Sequence, residues 1–122
     1  MAKYVVPAVA AAASVETVLG TAARDYEITA VKYVPASTLT GQATNFRRLQ
    51  LINKGPAGSG SKVVATKDFI SGINAPANEV TDITKQGNPV VREGDILAWQ
   101  SNAVGTGLAD PGGTMLVTES TL

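Results

Sequence analysis

The stretch Val90-Val91-Arg92-Glu93-Gly94-Asp95-Ile96-Leu97-Ala98-Trp99-Gln100-Ser101 constrains this chain most. Glu93-Gly94-Asp95 reads as a polar turn: glycine takes positive φ without steric cost, and an aspartate side chain accepts hydrogen bonds from nearby backbone amides. The turn feeds a strand that holds the only tryptophan. Successive strand residues point to opposite faces, so Ile96 and Ala98 share one face and Leu97 and Trp99 the other. Both faces are apolar. A strand with one wet face alternates apolar with polar residues, so this one is expected to be covered on each side. The candidates are a second sheet, the chain's own N-terminal arm, or a neighbouring subunit.

The same period of two extends along the chain. Glu27 to Val34 is rich in β-branched and aromatic residues and ends at Pro35, which cannot donate to a ladder. Between Asn45 and Asn53, Arg47, Leu49, Leu51 and Asn53 share one face, and Phe46, Arg48, Gln50 and Ile52 the other. Leu49 and Leu51 are expected in the core, leaving Arg48 and Gln50 to meet solvent or a partner. Lys62 to Ile70 reads as a further strand, and Glu79 to Thr84 as a short edge strand whose charges discourage stray pairing. Thr114 to Glu119 is the last strand, again apolar on both faces. Asp110-Pro111-Gly112-Gly113 puts Pro and Gly at the central positions of a type II turn. Only Ser14 to Arg24 suggests a helical turn, with Ser14 or Thr17 as N-cap and Gly20 as stop. Six or seven short strands separated by turn signals argue an all-β sandwich or barrel.

The 122 residues make one domain, large enough to bury roughly two-thirds of its unfolded surface. Residues 1–14 form an N-terminal arm and 15–122 the single β domain. Pro7 and the alanine-rich run give the arm no amphipathic period, so alone it is extended or loosely ordered and docks on its own domain, a neighbour or a larger surface. It has a faint likeness to a secretory signal, but Pro7, the alanine content and the short distance to a cut near Ala13 favour an arm. No stretch approaches the ~20 apolar residues of a membrane span.

Composition narrows the chemistry. Histidine and cysteine are absent, which removes disulfides, thiolates, the commonest metal ligand and the usual base for a serine nucleophile. No Gly-x-Ser-x-Gly elbow occurs. Ten basic and ten acidic residues balance, and Arg47-Arg48 is the nearest approach to a basic block, so a nucleic-acid partner is not expected. Gly55 and Gly60 have the spacing of a phosphate loop, but Ser61-Lys62 reverses the required order of lysine and hydroxyl, and the strand-like Val63-Val64-Ala65-Thr66 follows. This segment reads as a hairpin connection. Glu93, Asp95 and Asp110 read as turn formers rather than as an acid–base pair or a calcium site. The expectation is therefore no enzyme, no catalytic or metal-binding residue and no cofactor.

Laid out in order, Ile28 to Pro35, Thr40-Gly41 to Asn45-Phe46-Arg47, Leu49 to Gly55, Gly94 to Ser101 and Val104 to Gly113 resemble the small β-sandwich proteins that tailed bacteriophages encode near their capsid genes, the head decoration or cement proteins. The similarity covers residues 26–119, and the turn-rich C-terminal third is its most specific part. The resemblance implies a jelly-roll-like β-sandwich, often trimeric, that binds the outer surface of an icosahedral head and stabilises it against internal pressure. It would be made in the host cytoplasm and reside on the virion, with the major capsid protein as partner and no nucleic acid or membrane involved. On this reading Tyr4, Val5, Val6 and Val9 of the arm, with Arg48, Leu97 and Trp99, are the candidate capsid or subunit contacts, and residues 2–14 are dispensable for the fold. Two alternatives belong to other classes: a head-fibre or tail-appendage module that binds host carbohydrate on Trp99 or Tyr33, and a small enzyme of unfamiliar type.

Overall fold

The computed structural model describes residues 2–122. Nine strands follow one another: β1 (Ala2–Val6), β2 (Val15–Thr21), β3 (Tyr26–Pro35), β4 (Phe46–Asn53), β5 (Lys62–Asp68), β6 (Thr81–Lys85), β7 (Val90–Val91), β8 (Ile96–Val104) and β9 (Gly113–Thr121). They pair antiparallel along the path β1-β9-β3-β6-β5-β4-β8-β2, with β7 beside the start of β3. Strand β6 joins the two halves. Its Thr81–Ile83 pair with β3, and its Thr84 and Lys85 lie against Thr66 and Ala65 of β5. The all-β class expected from the sequence thus takes the form of one antiparallel sheet nearly closed into a barrel, with its two free edges, β1 and β2, at the ends of the path.

A single core fills the interior. Alternate residues supply it: Tyr33 from β3, Leu49 and Leu51 from β4, Leu97 and Trp99 from β8, and Met115 and Val117 from β9. Each large side chain moved from water to such a core contributes about 1.5–3 kcal/mol. Bulges adjust the alternation where it would fail. A register shift between Ile28 and Ala30 lets both Ile28 and Val31 point inward, and one between Leu51 and Ile52 of β4 turns both Val64 and Ala65 of β5 to the core.

The two strands that are apolar on both faces find different cover. On β8, Ala98 is buried on the outer face between its register partners Val18 of β2 and Ile52 of β4, so lateral neighbours rather than another layer shield it. On β9, Leu116 is half-buried between Lys3 and Lys32, whose positions allow their aliphatic stems to screen it.

Three sequence expectations are corrected. Ser14–Arg24 holds no helical turn: Val15–Thr21 is β2, paired with β8, and Gly20 takes φ 146° at a register shift instead of ending a helix. The hydroxyl and glycine signals suit a bulged strand equally well, and pairing with β8 decides between them. Glu79–Thr84 is not an edge strand, because β6 is the link between the two halves; its exposed Asp82 and Thr84 lie on the outer face of the barrel, and Thr81 and Ile83 are buried. Finally, the N-terminal segment is part of the sheet. Strand β1 pairs with β9 from Ala2↔Val117 to Val6↔Gly113, and Val6 and Val9 are buried. Deleting residues 2–14 would strip a strand and two buried valines, so a cost to folding is expected instead of none.

Candidate functional site

The antiparallel order sends four long loops to one end of the barrel: 7–14, 36–45, 69–80 and 105–112. They are stitched to one another. Val9 and Asp110 exchange backbone hydrogen bonds at 2.9 and 2.8 Å, and Leu39 and Ala75 do so at 2.9 and 2.8 Å. Gly41 lies so close to the neighbouring loop that a Cβ there would stand 1.9 Å from the Ile70 carbonyl oxygen and 2.3 Å from that of Ile73. Only glycine permits this approach.

Beneath the loops sits a buried polar cluster. Arg47 shares a face with Leu49 and Leu51 and follows them inward, fully buried. Its guanidinium donates to the carbonyl oxygens of Ala13 at 2.7 Å, Ala10 at 3.0 Å and Leu108, the last from both Nε and Nη2. One side chain therefore ties the first loop to the last. Burial lowers the Arg47 pKa, and the nearby Asp110 works in the opposite direction. The Asp110 carboxylate accepts from the Tyr33 hydroxyl at 2.6 Å, from Ser101 Oγ at 2.7 Å and from the Gly112 N–H at 2.9 Å. Burial, then the charge of Asp110, pushes the Tyr33 phenol well above its ordinary value. Trp99 stacks at a tilt against Tyr33, with ring centroids 5.8 Å apart, and its indole N–H has no partner among the described residues.

The surface above this cluster is unusual in its charge. The four loops carry two charged side chains, Glu79 and Asp110, and Asp110 is buried. Their exposed apolar residues are Ala8, Ala10, Ala11 and Ala12 in the first loop and Ile70, Ile73 and Val80 in the third, set among uncharged polar side chains such as Thr40, Gln42, Asn74 and Asn78 and the single exposed charge of Glu79. The turns at the opposite end carry Arg24, Asp25, Lys54, Arg92, Glu93 and Asp95 instead. There Asp95 does what the sequence suggested, accepting the Arg92 N–H and the Asn53 side-chain amide, each at 2.9 Å, while Gly94 takes φ 90°.

The residues named from sequence do not form one site. Val6, Val9, Leu97 and Trp99 are core, and Tyr4 is half-buried beside the gap between β1 and β2. Val5 is 87% exposed, and Arg48 is held on its own sheet by two hydrogen bonds to Asp68 at 2.6 and 3.0 Å. The proposed sugar platforms fail for the same reason of burial, since Trp99 is 1% exposed and Tyr33 fully enclosed. Sequence reasoning overlooked Arg47, although its place on the Leu49–Leu51 face was the signal that it would be drawn inward. It also overlooked the missing charge in the four loops, which shows only once the topology gathers them.

Among the described residues no three histidine, cysteine or acidic side chains converge as a metal site would require, and no helix is long and apolar enough to cross a membrane. Compared with family models, curated proteins and solved structures, the chain matches none.

Proposed function

We propose that this chain is a non-enzymatic assembly module of the head-decoration type, docking by its loop end onto the outer surface of an icosahedral phage head. The observation that carries the reading is the charge-poor loop end, with Ile70, Ile73 and Val80 exposed. Interface cores are distinguished from ordinary surface by the depletion of charged residues, and contiguous exposed apolar side chains mark docking sites. The buried Arg47 cluster supports it: loops fixed by one guanidinium lose little conformational freedom on docking.

In this proposal the two halves that share β6 stand as a variant of the jelly-roll-like sandwich expected of such proteins. Copies associate, as a trimer, along the flank where the outward Val5 and Val15 stand near the loop end. Linked copies multiply modest contacts through effective concentration, and binding to the lattice but not to its separated subunits stabilises the lattice by mass action. The major capsid protein is the partner, and the outer capsid surface the location.

Co-sedimentation with undecorated icosahedral heads tests this. The chain is expected to pellet with the heads, Ile73→Glu to abolish pelleting, and Lys62→Glu at the opposite end to leave it unchanged. Retained pelleting by a folded Ile73→Glu variant, or no pelleting by the unaltered chain, would overturn the proposal.

A further inference from the structure

Strand β1 is held more loosely than its neighbours. Among the described residues it pairs with β9 alone, and its other edge, like that of β2, is free. The connection between these two strands is pinned at both ends. Val9 exchanges backbone hydrogen bonds with Asp110, and Ser14 Oγ accepts the Ala103 N–H at 3.0 Å. Between the pins lie four alanines, 10–13. None of them belongs to the core, and Ala10, Ala11 and Ala12 are exposed. Their path is a tight turn, closed by the Ala13 N–H on the Ala10 carbonyl at 3.2 Å, with Ala12 at φ 66°. A left-handed backbone is unfavourable for a residue that carries a Cβ, so the turn is strained where no side-chain packing fixes it.

We infer that these four alanines are a hinge, and that on self-association each copy passes β1 to a neighbour, where it pairs with the neighbour's β9. The occupant is a second copy because its β9 edge is already complementary to this strand. The pairing from Ala2↔Val117 to Val6↔Gly113, the burial of Val6 and Val9 and the bridge from Val9 to Asp110 are all re-made there. The two forms therefore differ mainly at the hinge. Opening it relieves Ala12, breaks the Ala13–Ala10 bond and separates two carbonyls that a single Arg47 guanidinium holds. Arg47 is thus the latch that keeps the lone chain closed. Exchange of an identical element is a low-cost route to oligomers, and strained hinge loops invite it. Five steps from Val9 to Ser14 span about 17 Å when extended, so the seams of neighbouring copies must face one another. The flank that bears the exposed Val5 and Val15 lies beside that seam.

The exchange rests on the self-association proposed along this flank and is independent of docking by the loop end. The chain has no cysteine, so introduced thiols report the pairing cleanly. Val5 and Thr114 are register partners on β1 and β9, within reach of a disulfide. Full-length Val5→Cys and Thr114→Cys variants are mixed at rising concentration, equilibrated, oxidised and mapped by mass spectrometry. The expected product is a bond between position 5 of one chain and position 114 of another. Val5→Cys mixed with Thr118→Cys, a β9 position outside the β1 pairing, should not form it. The double variant Val5→Cys with Thr114→Cys should oxidise fully, showing that the pair can bond, and should give covalent oligomers. Ala12→Pro, which cannot hold a positive φ, should raise the yield between chains, and Ala12→Gly should lower it about twofold. Oxidation of the double variant to monomers alone, or equal yields with Thr114→Cys and Thr118→Cys, would overturn the exchange. If light scattering still finds a trimer in that case, the flank contact stands without it; a monomer at every concentration overturns both.

Discussion

Replacing Arg47 by methionine keeps the length and apolar stem of the side chain and removes the guanidinium. The carbonyl oxygens of Ala13 and Leu108 then lose their side-chain donor, and Ala10 keeps only the amide of Ala13. At about 1 kcal/mol net for each of the three carbonyl acceptors that lose this donor the cost is about 3 kcal/mol. Asp110, which forms no direct pair with Arg47, also loses the nearby positive charge, and this adds to the cost. That is a large share of the roughly 5–15 kcal/mol by which a domain is stable. Urea unfolding measures it directly, with the midpoint falling and the slope unchanged. Because Ser101 Oγ donates to Asp110 and lies 3.5 Å from Arg47 Nη1, the two charges share a partner. The double variant Arg47→Met with Asp110→Asn should therefore cost less than the sum of the singles, by about 1 kcal/mol or more. A loss below about 1 kcal/mol for Arg47→Met, or strict additivity in the cycle, would refute the role assigned to the cluster.

Three further outcomes follow from the same structure. All three tyrosines have raised pKa values, and Tyr26 reaches about 12 against an ordinary 10.0. Below pH 10 both folded and unfolded chains keep these protons; between pH 10 and about 12 the unfolded chain loses the Tyr26 proton first. Stability is thus level below pH 10 and falls as pH rises beyond it, and phenolate absorbance should appear together with loss of the far-ultraviolet β signal rather than before it. Gly41→Ala forces two carbonyl oxygens away from the new methyl and should lower stability by about 2 kcal/mol or more in thermal unfolding. Ala12 is a non-glycine residue at φ 66°, so Ala12→Gly should raise stability by about 0.5 kcal/mol, read from the same urea curves.

Much of the scaffold is legible in the residues because strand alternation is local. Tyr26–Pro35, Phe46–Asn53 and Ile96–Val104 carry their own inward and outward pattern, and the turns at Gly94-Asp95 and Pro111-Gly112 carry their own chemistry. What depends on distant partners is not legible. Thr81–Lys85 looks like an edge because its outer face is polar, yet its place between β3 and β5 follows from two pairings with strands far along the chain. Val15–Thr21 carries helix-cap residues that only β8 overrules. The candidate surface and the hinge are hidden for the same reason. No single loop announces an uncharged end, and the alanine run reads as a hinge only once Val9 is pinned to Asp110 and Ser14 to Ala103.

The account rests on a barrel that presents its charge-poor loops to a protein lattice and its charged turns to solvent. Imaging undecorated icosahedral heads mixed with the chain, at a resolution that orients the barrel, measures this directly. The account predicts added density at regular local-symmetry positions with Ile70 and Ile73 innermost and the Arg24–Glu119 ion pair outermost. Density that seats the barrel by its charged end, or heads that stay bare at saturating protein, would contradict it.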